Sequence, residues 1–372
     1  MRSIVMLFAV ACLATSARAA KAQIVILDYP GATSTLAMSS SGSNVVGWYG
    51  DSNNNRHSFL YNGSAYTSLD VPGAGTGVTS GTGALSISGS NVVGDYVDVA
   101  GNRHGFLYNG STYTTLDAPG AAAGRGTIAN SVSGSQVGGW FVDSAGSGHS
   151  YTYNGSTYTA LNAPGAGIGA DQGTYGVLTA GNTVVGNSVD SNNTHHGFIY
   201  DGSTFTILNA PGAETGTNRG TWTTSQSGSI VAGWYVDANG ASHGFLYDGL
   251  GYLLLNAPGA TSTTATGVPG SLVVGDYTDS SGHDHVFLYD GSTYTNIDPP
   301  GAGSAQTMFI SGHTVAGWYL DSAGIEHGFI ETVPVPEPAT MALTSAAAPL
   351  LAVYVRRRRL LPGGSAREPD RK

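Results

Sequence analysis

Aspartate and histidine recur together along this chain of 372 residues, and carboxylate and imidazole groups are common metal ligands and proton carriers. Each of these histidines follows an aspartate by six residues, and each aspartate follows a glycine by four. The seven pairs are Asp51/His57, Asp98/His104, Asp143/His149, Asp190/His196, Asp237/His243, Asp279/His285 and Asp321/His327. Because the pair recurs in one register, whereas an enzyme needs its catalytic group once, the pattern indicates a repeated structural role.

The spacing of each pair predicts a hydrogen-bonded hairpin rather than a metal site. Aspartate and histidine flank the hairpin, so we expect bonds from the aspartate to the histidine or to the backbone. A metal needs several ligands at one point, and a calcium loop, the alternative at Asp51, usually supplies several carboxylates where this hairpin supplies one. We therefore predict no metal and no cofactor. His283 and His285 share a strand face and are interpreted as surface histidines.

The elements that position these residues are short strands in seven sequence repeats. Pro-Gly pairs recur every 42 to 47 residues, and each repeat contains four strand patterns rich in Val, Tyr, Thr and Phe. In the third copy they span residues 126–133, 136–143, 149–153 and 157–162. Asn-Gly or Asp-Gly between the last two strands predicts a type I′ hairpin. Glycine, Asn54 or Asn193 three residues after each aspartate predicts a left-handed residue in the other hairpin.

Four strands every 40 to 50 residues is the period of a propeller blade. The seventh copy stops after its third strand, whereas residues 23–31 match the missing fourth strand. We therefore predict an all-β fold: a seven-bladed β-propeller of four-stranded blades, closed by the N-terminal strand, which completes the last blade. A linear β-solenoid is the alternative.

The charge of the repeats excludes nucleic acid as a partner. Residues 23–335 contain four basic and 21 acidic residues, which is a formal net charge of −17. Affinity for nucleic acid comes largely from Lys and Arg, so such a segment repels a phosphate backbone.

The N-terminus has the pattern of a secretory signal peptide. Arg2 precedes an apolar run that is too short to span a bilayer, and small residues follow it, with cleavage expected near Ala22. Residues 1–22 are therefore predicted to be removed on export. The single cysteine of the chain, Cys12, lies within this segment.

The C-terminus combines three features in a fixed order. Val335, Pro336, Glu337 and Pro338 form a box, an apolar stretch ends at Val355, and Arg356, Arg357, Arg358 and Arg359 follow. The arginines are expected to remain cytoplasmic and to stop translocation. Residues 333–359 resemble the PEP-CTERM sorting signal, and 360–372 form a polar tail. The resemblance implies a Gram-negative bacterial protein that is anchored transiently in the membrane, processed by an exosortase, and delivered to the cell surface, outer envelope or extracellular matrix. An unprocessed single-pass anchor is the alternative.

The repeats also resemble a known extracellular repeat family. Their core is Asp-x-x-Gly-x-x-His-Gly-Phe-Leu-Tyr, followed by Asp-Ala-Pro-Gly-Ala. This pattern is similar to HAF-type repeats over residues 23–332. The resemblance implies an extracellular location and no particular activity.

Departures from the repeat indicate where a ligand would bind. The distance from Pro-Gly to the repeat glycine is 16 residues in copies 1, 6 and 7, but 19 or 21 in copies 2 to 5. These longer loops form a lip on one face of a propeller. Tyr175 and Trp222 occupy equivalent positions in adjacent copies. One hypothesis is that they form a stacking platform for a sugar; the alternative is that they pack under the longer loops. The candidate polar ligands on the lip are Arg125, Gln172 and Arg219.

An alternation of residue types along the repeats suggests how neighbouring blades pack. The residue after the repeat glycine is Trp48, Asp95, Trp140, Asn187, Trp234, Asp276 and Trp318 in turn. A large ring beside a small polar neighbour is interpreted as complementary packing between blades.

No motif of a known catalytic site is present, including G-x-S-x-G, H-E-x-x-H, the P-loop and the dinucleotide fingerprint. We therefore expect a non-catalytic surface or matrix protein that binds exopolysaccharide or an envelope protein through the lip. One alternative is a structural coat protein with no discrete ligand, in which Tyr175 and Trp222 are buried. Another is a polysaccharide-active enzyme, with two carboxylates about 5 to 9.5 Å apart in a cleft.

Overall fold

The computed structural model describes residues 23–333 apart from 78–79, 182, 269–271 and 312–313. The predicted signal peptide and the PEP-CTERM-like segment from residue 334 onward, including Val335–Pro338 and Arg356–Arg359, lie outside this part of the chain. The described residues form 28 β-strands and no helix, and they therefore contain no helix that could cross a membrane. The expectation of an all-β protein is confirmed for this part of the chain.

The described strands group into seven antiparallel units of four strands, which we number 1 to 7 along the chain. Unit 1 contains β2 (Ser34–Ser41), β3 (Asn44–Gly50), β4 (Arg56–Tyr61) and β5 (Tyr66–Ser68), and unit 2 contains β6 (Gly81–Ser88), β7 (Asn91–Val97), β8 (Arg103–Tyr108) and β9 (Tyr113–Leu116). Unit 3 contains β10 (Thr127–Ser133), β11 (Gln136–Val142), β12 (Gly148–Tyr153) and β13 (Tyr158–Leu161), and unit 4 contains β14 (Gly173–Ala180), β15 (Thr183–Val189), β16 (Thr194–Tyr200) and β17 (Phe205–Leu208). Unit 5 contains β18 (Arg219–Ser227), β19 (Ile230–Val236), β20 (Ser242–Tyr247) and β21 (Tyr252–Leu255), and unit 6 contains β22 (Ser262–Gly267), β23 (Val273–Thr278), β24 (Asp284–Tyr289) and β25 (Tyr294–Asn296). Unit 7 contains β26 (Ser304–Ser311), β27 (Thr314–Leu320) and β28 (Glu326–Thr332), with β1 (Gln23–Leu27) as its fourth strand. The strands of unit 3 agree with the predicted bounds to within one residue.

The hairpins explain why glycine recurs at fixed points. The residue three after each repeated aspartate has positive φ in all seven units, including Asn54 at 59° and Asn193 at 60°, which confirms that prediction. The predicted type I′ turn is wrong. In the loop that begins at Asn62, Gly63 has a φ of 94° and Ser64 a negative φ, which is typical of a type II′ turn. The Asn62 side chain accepts the amides of Ser64 and Ala65, so an Asx-type bond replaces the second left-handed residue.

The first strand of each unit, which we call the inner strand, contains a β-bulge opposite the repeat glycine. The close approach of the bulge requires glycine at that position. Gly47 pairs with Ala37, and the register shifts between Ala37 and Ser39. A Cβ atom on Gly47 would lie 2.0 Å from the carbonyl oxygen of Leu36 and 3.0 Å from the ring of Phe59. Only glycine permits this approach, which explains its presence in every copy.

The core lies between neighbouring units. The third strand of each unit contributes one fully buried ring: Phe59, Phe106, Tyr151, Phe198, Phe245, Phe287 and Phe329. Phe287 of unit 6, for example, packs with Ala232 and Leu255 of unit 5. Each sheet is therefore covered by the next, as in other repeat proteins.

The strand β1 brings the two ends of the repeat array together. It pairs antiparallel with β28 from Gln23↔Thr332 to Leu27↔Gly328, and β2 of unit 1 packs against β26, β27 and β28. Leu27 joins a cluster of Ala37, Val45 and Ala316, which belong to units 1 and 7. This cluster connects the first unit to the last.

We expect Leu27→Ala to lower the free energy of unfolding by about 2–5 kcal/mol, because it leaves a cavity in this cluster. Leu27 is 1% exposed, whereas its neighbour Ile26 is 38% exposed, so Ile26→Ala is the matched control and should cost less than about 1 kcal/mol. Urea denaturation of both variants measures the difference. Equal costs would show that β1 contributes no buried anchor.

Unit 7 also contains a buried carboxyl group. Glu331 is 2% exposed and occupies the position at which the other six units have tyrosine, such as Tyr289. Among the described residues its Oε2 atom has no hydrogen-bond partner. Burial, followed by the charge of Asp298, raises the pKa of Glu331 to about 7. The folded protein therefore retains a proton that the unfolded chain releases above its ordinary pKa of 4.5.

This linkage has a definite sign. Folding stability falls as the pH rises from about 4.5 to about 7, because ionisation is penalised only in the folded state. Glu331→Gln should remove the contribution of Glu331 to this decline, leaving that of Asp276, whose pKa burial also raises to about 7. The substitution should stabilise the protein at pH 8 by about 1–3 kcal/mol, with little effect at pH 4. Urea denaturation across this pH range measures it. Glu326→Gln, on the same strand, is the control, and the same pH profile in wild type and Glu331→Gln would refute the account.

Candidate binding cavity

The repeated aspartates are structural, as the sequence predicted. In each unit one carboxylate oxygen accepts the backbone amides two and four residues later, as Asp98 does from Ala100 and Asn102 at 2.8 Å. The other oxygen lies 3.1–3.6 Å from Nε2 of the repeated histidine. Hydrogen bonds from the Ala241 amide and other groups lower the pKa of Asp237, so these carboxylates are committed to the hairpin.

The histidines have a second partner that the sequence analysis missed. Nδ1 lies 2.6–3.0 Å from a side-chain oxygen of a residue that follows the fourth strand by one or two positions: Asp70, Asp117, Asn162, Asn209, Asn256, Asp298 and, in unit 7, Asp28 after β1. Burial lowers the pKa of His285, but its bonds to Asp298 and Asp279 outweigh burial and raise it above the usual value. Within the described ranges no three histidine or acidic side chains are grouped to hold a metal ion.

A cavity of about 580 Å³ lies among units 2 to 5. The lining residues are Arg103, Gly124, Arg125, Trp140, Val142, Asp171, Tyr175, Gly176, Asn187, Val189, His195 and Trp222. Strands β8, β11, β14, β15, β16 and β18 contribute most of them, and the long loops contribute Gly124, Arg125 and Asp171. Three of the lip residues named from the sequence, Arg125, Tyr175 and Trp222, therefore lie at one cavity, together with Asp171.

Tyr175 occupies its place because its neighbour lacks a side chain. A Cβ atom on Gly148 would lie 2.2 Å from the Tyr175 ring. The ring is half-buried, packs edge to face with Trp140 at a centroid distance of 5.3 Å, and its hydroxyl donates to the carbonyl of Gln172 at 2.8 Å. Burial, followed by the charge of Asp171, raises the pKa of Tyr175.

Trp222 has a different environment from the predicted one. Its ring stacks on Trp234 with centroids 4.1 Å apart and on His195 with centroids 4.4 Å apart. Trp234 lies on β19 and His195 on β16, and these strands pair with opposite edges of β18, which carries Trp222. Both faces of the indole are therefore covered by protein rings, and Tyr175 and Trp222 do not form the predicted two-ring platform.

The two arginines at the cavity each contact a carboxylate. Arg125 Nη1 lies 3.5 Å from Asp171 Oδ1 in an exposed pair. Arg103 Nε lies 3.5 Å from Asp95 Oδ2, which also lies 3.1 Å from Arg56 Nη2. Asp95 is buried, so one carboxylate positions two guanidinium groups.

Two candidate residues do not line the cavity. The Gln172 amide accepts the backbone amide of Gly169 and donates to Asn193 Oδ1 at 3.1 Å, which ties its loop to the next hairpin. Arg219 donates to the carbonyl of Asp237 in its own unit. Both side chains are used within the fold.

The sequence analysis did not assign Arg103, Trp140 or His195 to a binding site, although all three line the cavity. Arg103 and His195 immediately precede a repeated histidine, at the position of Gly148, and Trp140 was assigned to packing. A sequence signal for Arg103 and His195 was available, because the position before the repeated histidine holds six residue types in the seven copies. Gly176, with a φ of 60°, marks another departure from the repeat. The β-bulge of β14 lies at this residue, one position earlier in the strand than in the other units.

The polar residues of the alternating position connect units. Asn187 accepts the backbone amide of Thr223 in unit 5 at 2.7 Å, and Asp276 accepts that of Thr307 in unit 7 at 2.7 Å. Burial raises the pKa of Asp276 to about 7. These contacts agree with the packing interpretation for those two positions.

Comparison with solved structures identifies the arrangement of the units. The β-propeller domain of the Trilobed protease from Pyrococcus furiosus has a TM-score of 0.52 and 8% identity, covering 82% of this chain and 99% of that chain. The BP39L lectin from Burkholderia pseudomallei has a TM-score of 0.51 and 12% identity, covering 82% and 98%. The chain has a β-propeller fold. The alternative of a β-solenoid is therefore set aside, while identities this low establish the propeller fold alone.

Neither a protein-family model nor a curated protein sequence matches the chain. The PEP-CTERM and HAF resemblances stay predictions. In the propeller, the cavity lies where the inner, second and third strands of consecutive units meet under the long loops.

Substitution of Gly148 tests how the cavity is built. We expect Gly148→Ala to displace Tyr175 and destabilise the protein by about 1–3 kcal/mol through overpacking. The near-UV circular dichroism signal should also change, because the Trp140–Tyr175 contact is broken. Gly251→Ala is the control, since a Cβ atom there meets nothing within 4 Å. An unchanged spectrum and melting temperature in Gly148→Ala would contradict the assigned packing.

Proposed function

We propose that this protein is a non-catalytic β-propeller that binds a glycan in the cavity among units 2 to 5. The observation that carries the proposal is a cavity lined by Trp140 and Tyr175 beside the guanidinium groups of Arg103 and Arg125. The apolar ring faces of a sugar pack on aromatic side chains, and its hydroxyls bond to fixed polar groups.

The dimensions and lining support a small-molecule site. A volume of about 580 Å³ lies in the range of ligand cavities, which are mostly apolar with a few placed polar groups. Val142 and Val189 supply apolar surface, and Asn187 is held by its bonds to Thr223. A preorganised lining of this kind lowers the entropic cost of binding.

The alternative of a polysaccharide-active enzyme has one specific feature in its favour. Asp276 and Asp284 line a second cavity of about 290 Å³. However, Asp276 accepts the Thr307 amide and hydroxyl, and Asp284 accepts the side chains of Gln306 and Thr278. Because both carboxylates have structural partners, we assign binding rather than catalysis.

The proposed molecule has seven blades in a closed ring. Two observations support this: β1 pairs with β28 as the fourth strand of unit 7, and β2 of unit 1 packs against unit 7. The contact between Asp28 and His327, 2.9 Å apart, reproduces in unit 7 the bond that every other unit makes within one continuous repeat. A closed ring leaves no unit with an uncovered face.

We further propose export and sorting through the terminal segments, on the sequence patterns alone. Residues 1–22 would direct secretion, and the Pro-Glu-Pro box, apolar stretch and arginines would direct transient anchoring and exosortase processing. A glycan-binding propeller at the cell surface or in the matrix fits an exopolysaccharide as its natural ligand; an envelope protein is the other partner to consider.

Substitution of one tryptophan tests the glycan site. We expect Trp140→Ala to weaken binding to bacterial exopolysaccharide fragments at least about tenfold, because a central aromatic contact is lost. Trp318→Ala is the matched control: it occupies the same repeat position in unit 7 and does not line the cavity. Isothermal titration calorimetry measures affinity, and melting temperatures check folding. If no glycan binds the wild-type protein, the structural coat role replaces this proposal.

A further inference from the structure

The few cations of the repeat region are placed asymmetrically. Residues 23–335 contain 21 acidic side chains but only Arg56, Arg103, Arg125 and Arg219 as basic ones. All four lie in units 1 to 5 or their long loops, and two of them, Arg103 and Arg125, line the aromatic cavity among units 2 to 5. The second cavity, at units 5 to 7, is lined by Asp276 and Asp284 instead.

The Arg103 guanidinium is held in place but not neutralised. Asp95, 4% exposed, contacts both Arg103 and Arg56, so this three-residue cluster keeps one positive charge. Arg103 uses Nε for this contact, and its terminal nitrogens have no protein partner among the described residues. Gly83 leaves room for the Arg56 guanidinium, since a Cβ atom on it would lie 2.7 Å from Arg56 Nη2 and would displace that group.

The Arg125 guanidinium has a partner that a ligand anion can replace. The Arg125 and Asp171 side chains are 57% and 85% exposed and their closest atoms are 3.5 Å apart. Such exposed pairs contribute little, about 0–1 kcal/mol, so exchanging Asp171 for another anion costs little. A planar guanidinium also binds carboxylate or sulfate oxygens through two parallel bonds.

The net charge of the domain does not oppose such a ligand locally. The repeated aspartates are engaged by backbone amides and histidines, as Asp143 is by Ala145, Ser147 and His149. Charges more than about 8 Å away are screened at physiological ionic strength. His195 adds no charge, because burial and the neighbouring His196 lower its pKa.

Building on the proposed glycan function, we infer that this cavity binds an anionic glycan, whose carboxylate or sulfate group contacts Arg103 and Arg125 while a sugar ring packs against Trp140 and Tyr175. The neutral part of the ligand would use the apolar lining, and the anion would distinguish it from uncharged sugars. The inferred ligand is therefore a polysaccharide that carries uronate or sulfate groups.

Three probes, each added to the purified protein, test this inference: an oligogalacturonate, its carboxyl-reduced neutral form, and a sulfated galactan oligosaccharide. We expect at least one anionic probe to bind about tenfold more tightly than the neutral form, with affinity that falls as salt is raised. The two anionic probes then distinguish a carboxylate from a sulfate ligand. Calorimetry measures all three.

Matched variants locate the effect. Arg103→Gln and Arg125→Gln should each remove most of the preference for the anionic probe, whereas Arg219→Gln, which makes the same change in net charge away from the cavity, should retain it. Melting temperatures confirm that each variant is folded. Retained preference in both cavity variants, or its equal loss in Arg219→Gln, overturns the inference.

The outcomes separate this inference from the function on which it rests. Equal binding of the neutral and anionic probes, abolished by Trp140→Ala, overturns the anionic preference and leaves the glycan site intact. Absence of binding by any probe or exopolysaccharide overturns both.

Discussion

The burial of one aromatic ring between neighbouring units is the contact on which the rest of the structure depends. A four-stranded sheet cannot bury both of its faces alone, so each unit is stable only against the next. Phe198, for example, packs with Leu161 and Ala163 of the preceding unit. The repeat glycine makes room for this ring: a Cβ atom on Gly186 would lie 2.6 Å from Phe198. The repeat glycine and the buried ring therefore depend on each other. The hairpin aspartates and histidines hold together the strands that contain them.

Because the repeated residues hold this scaffold together, the differences between units lie at the positions that vary. The residue before each repeated histidine and the residue eleven before the repeat glycine face each other across adjacent units. Their sizes are complementary: Gly148 admits the Tyr175 ring, and His195 stacks on Trp222. At the joint of units 6 and 7, Asp284 accepts a hydrogen bond from Gln306. The scaffold thus places a different pair of side chains at each joint without altering the core.

The sequence predicted local features well because local chemistry determines them. Positive φ at Asn54 and Asn193 follows from the tolerance of asparagine for that conformation, and the strand bounds follow from the repeat. It failed where the result depends on a side-chain contact with another strand or loop. The stack around Trp222 and the engagement of Gln172 and Arg219 with nearby loops need side-chain directions that spacing does not contain. Likewise, the second partner of His327 is Asp28, which lies 299 residues away in the chain.

The same reasoning explains why the cavity lies where it does. The longer loops end in glycines with positive φ, Gly81, Gly126, Gly173 and Gly220, whose Cβ atoms would clash with the backbone of the preceding third strand. These glycines let each inner strand of units 2 to 5 approach the unit before it, while the loops rise above the joint. Between units 3 and 4 the facing residue is Gly148, so the space is filled by Tyr175 from one side and remains open beside Trp140. A site formed by a missing side chain costs the core nothing, because the buried rings lie farther along the same strands. The repeated residues can therefore be the same in every unit while the residues around this one joint differ, with Arg103 on β8 and Arg125 in a long loop.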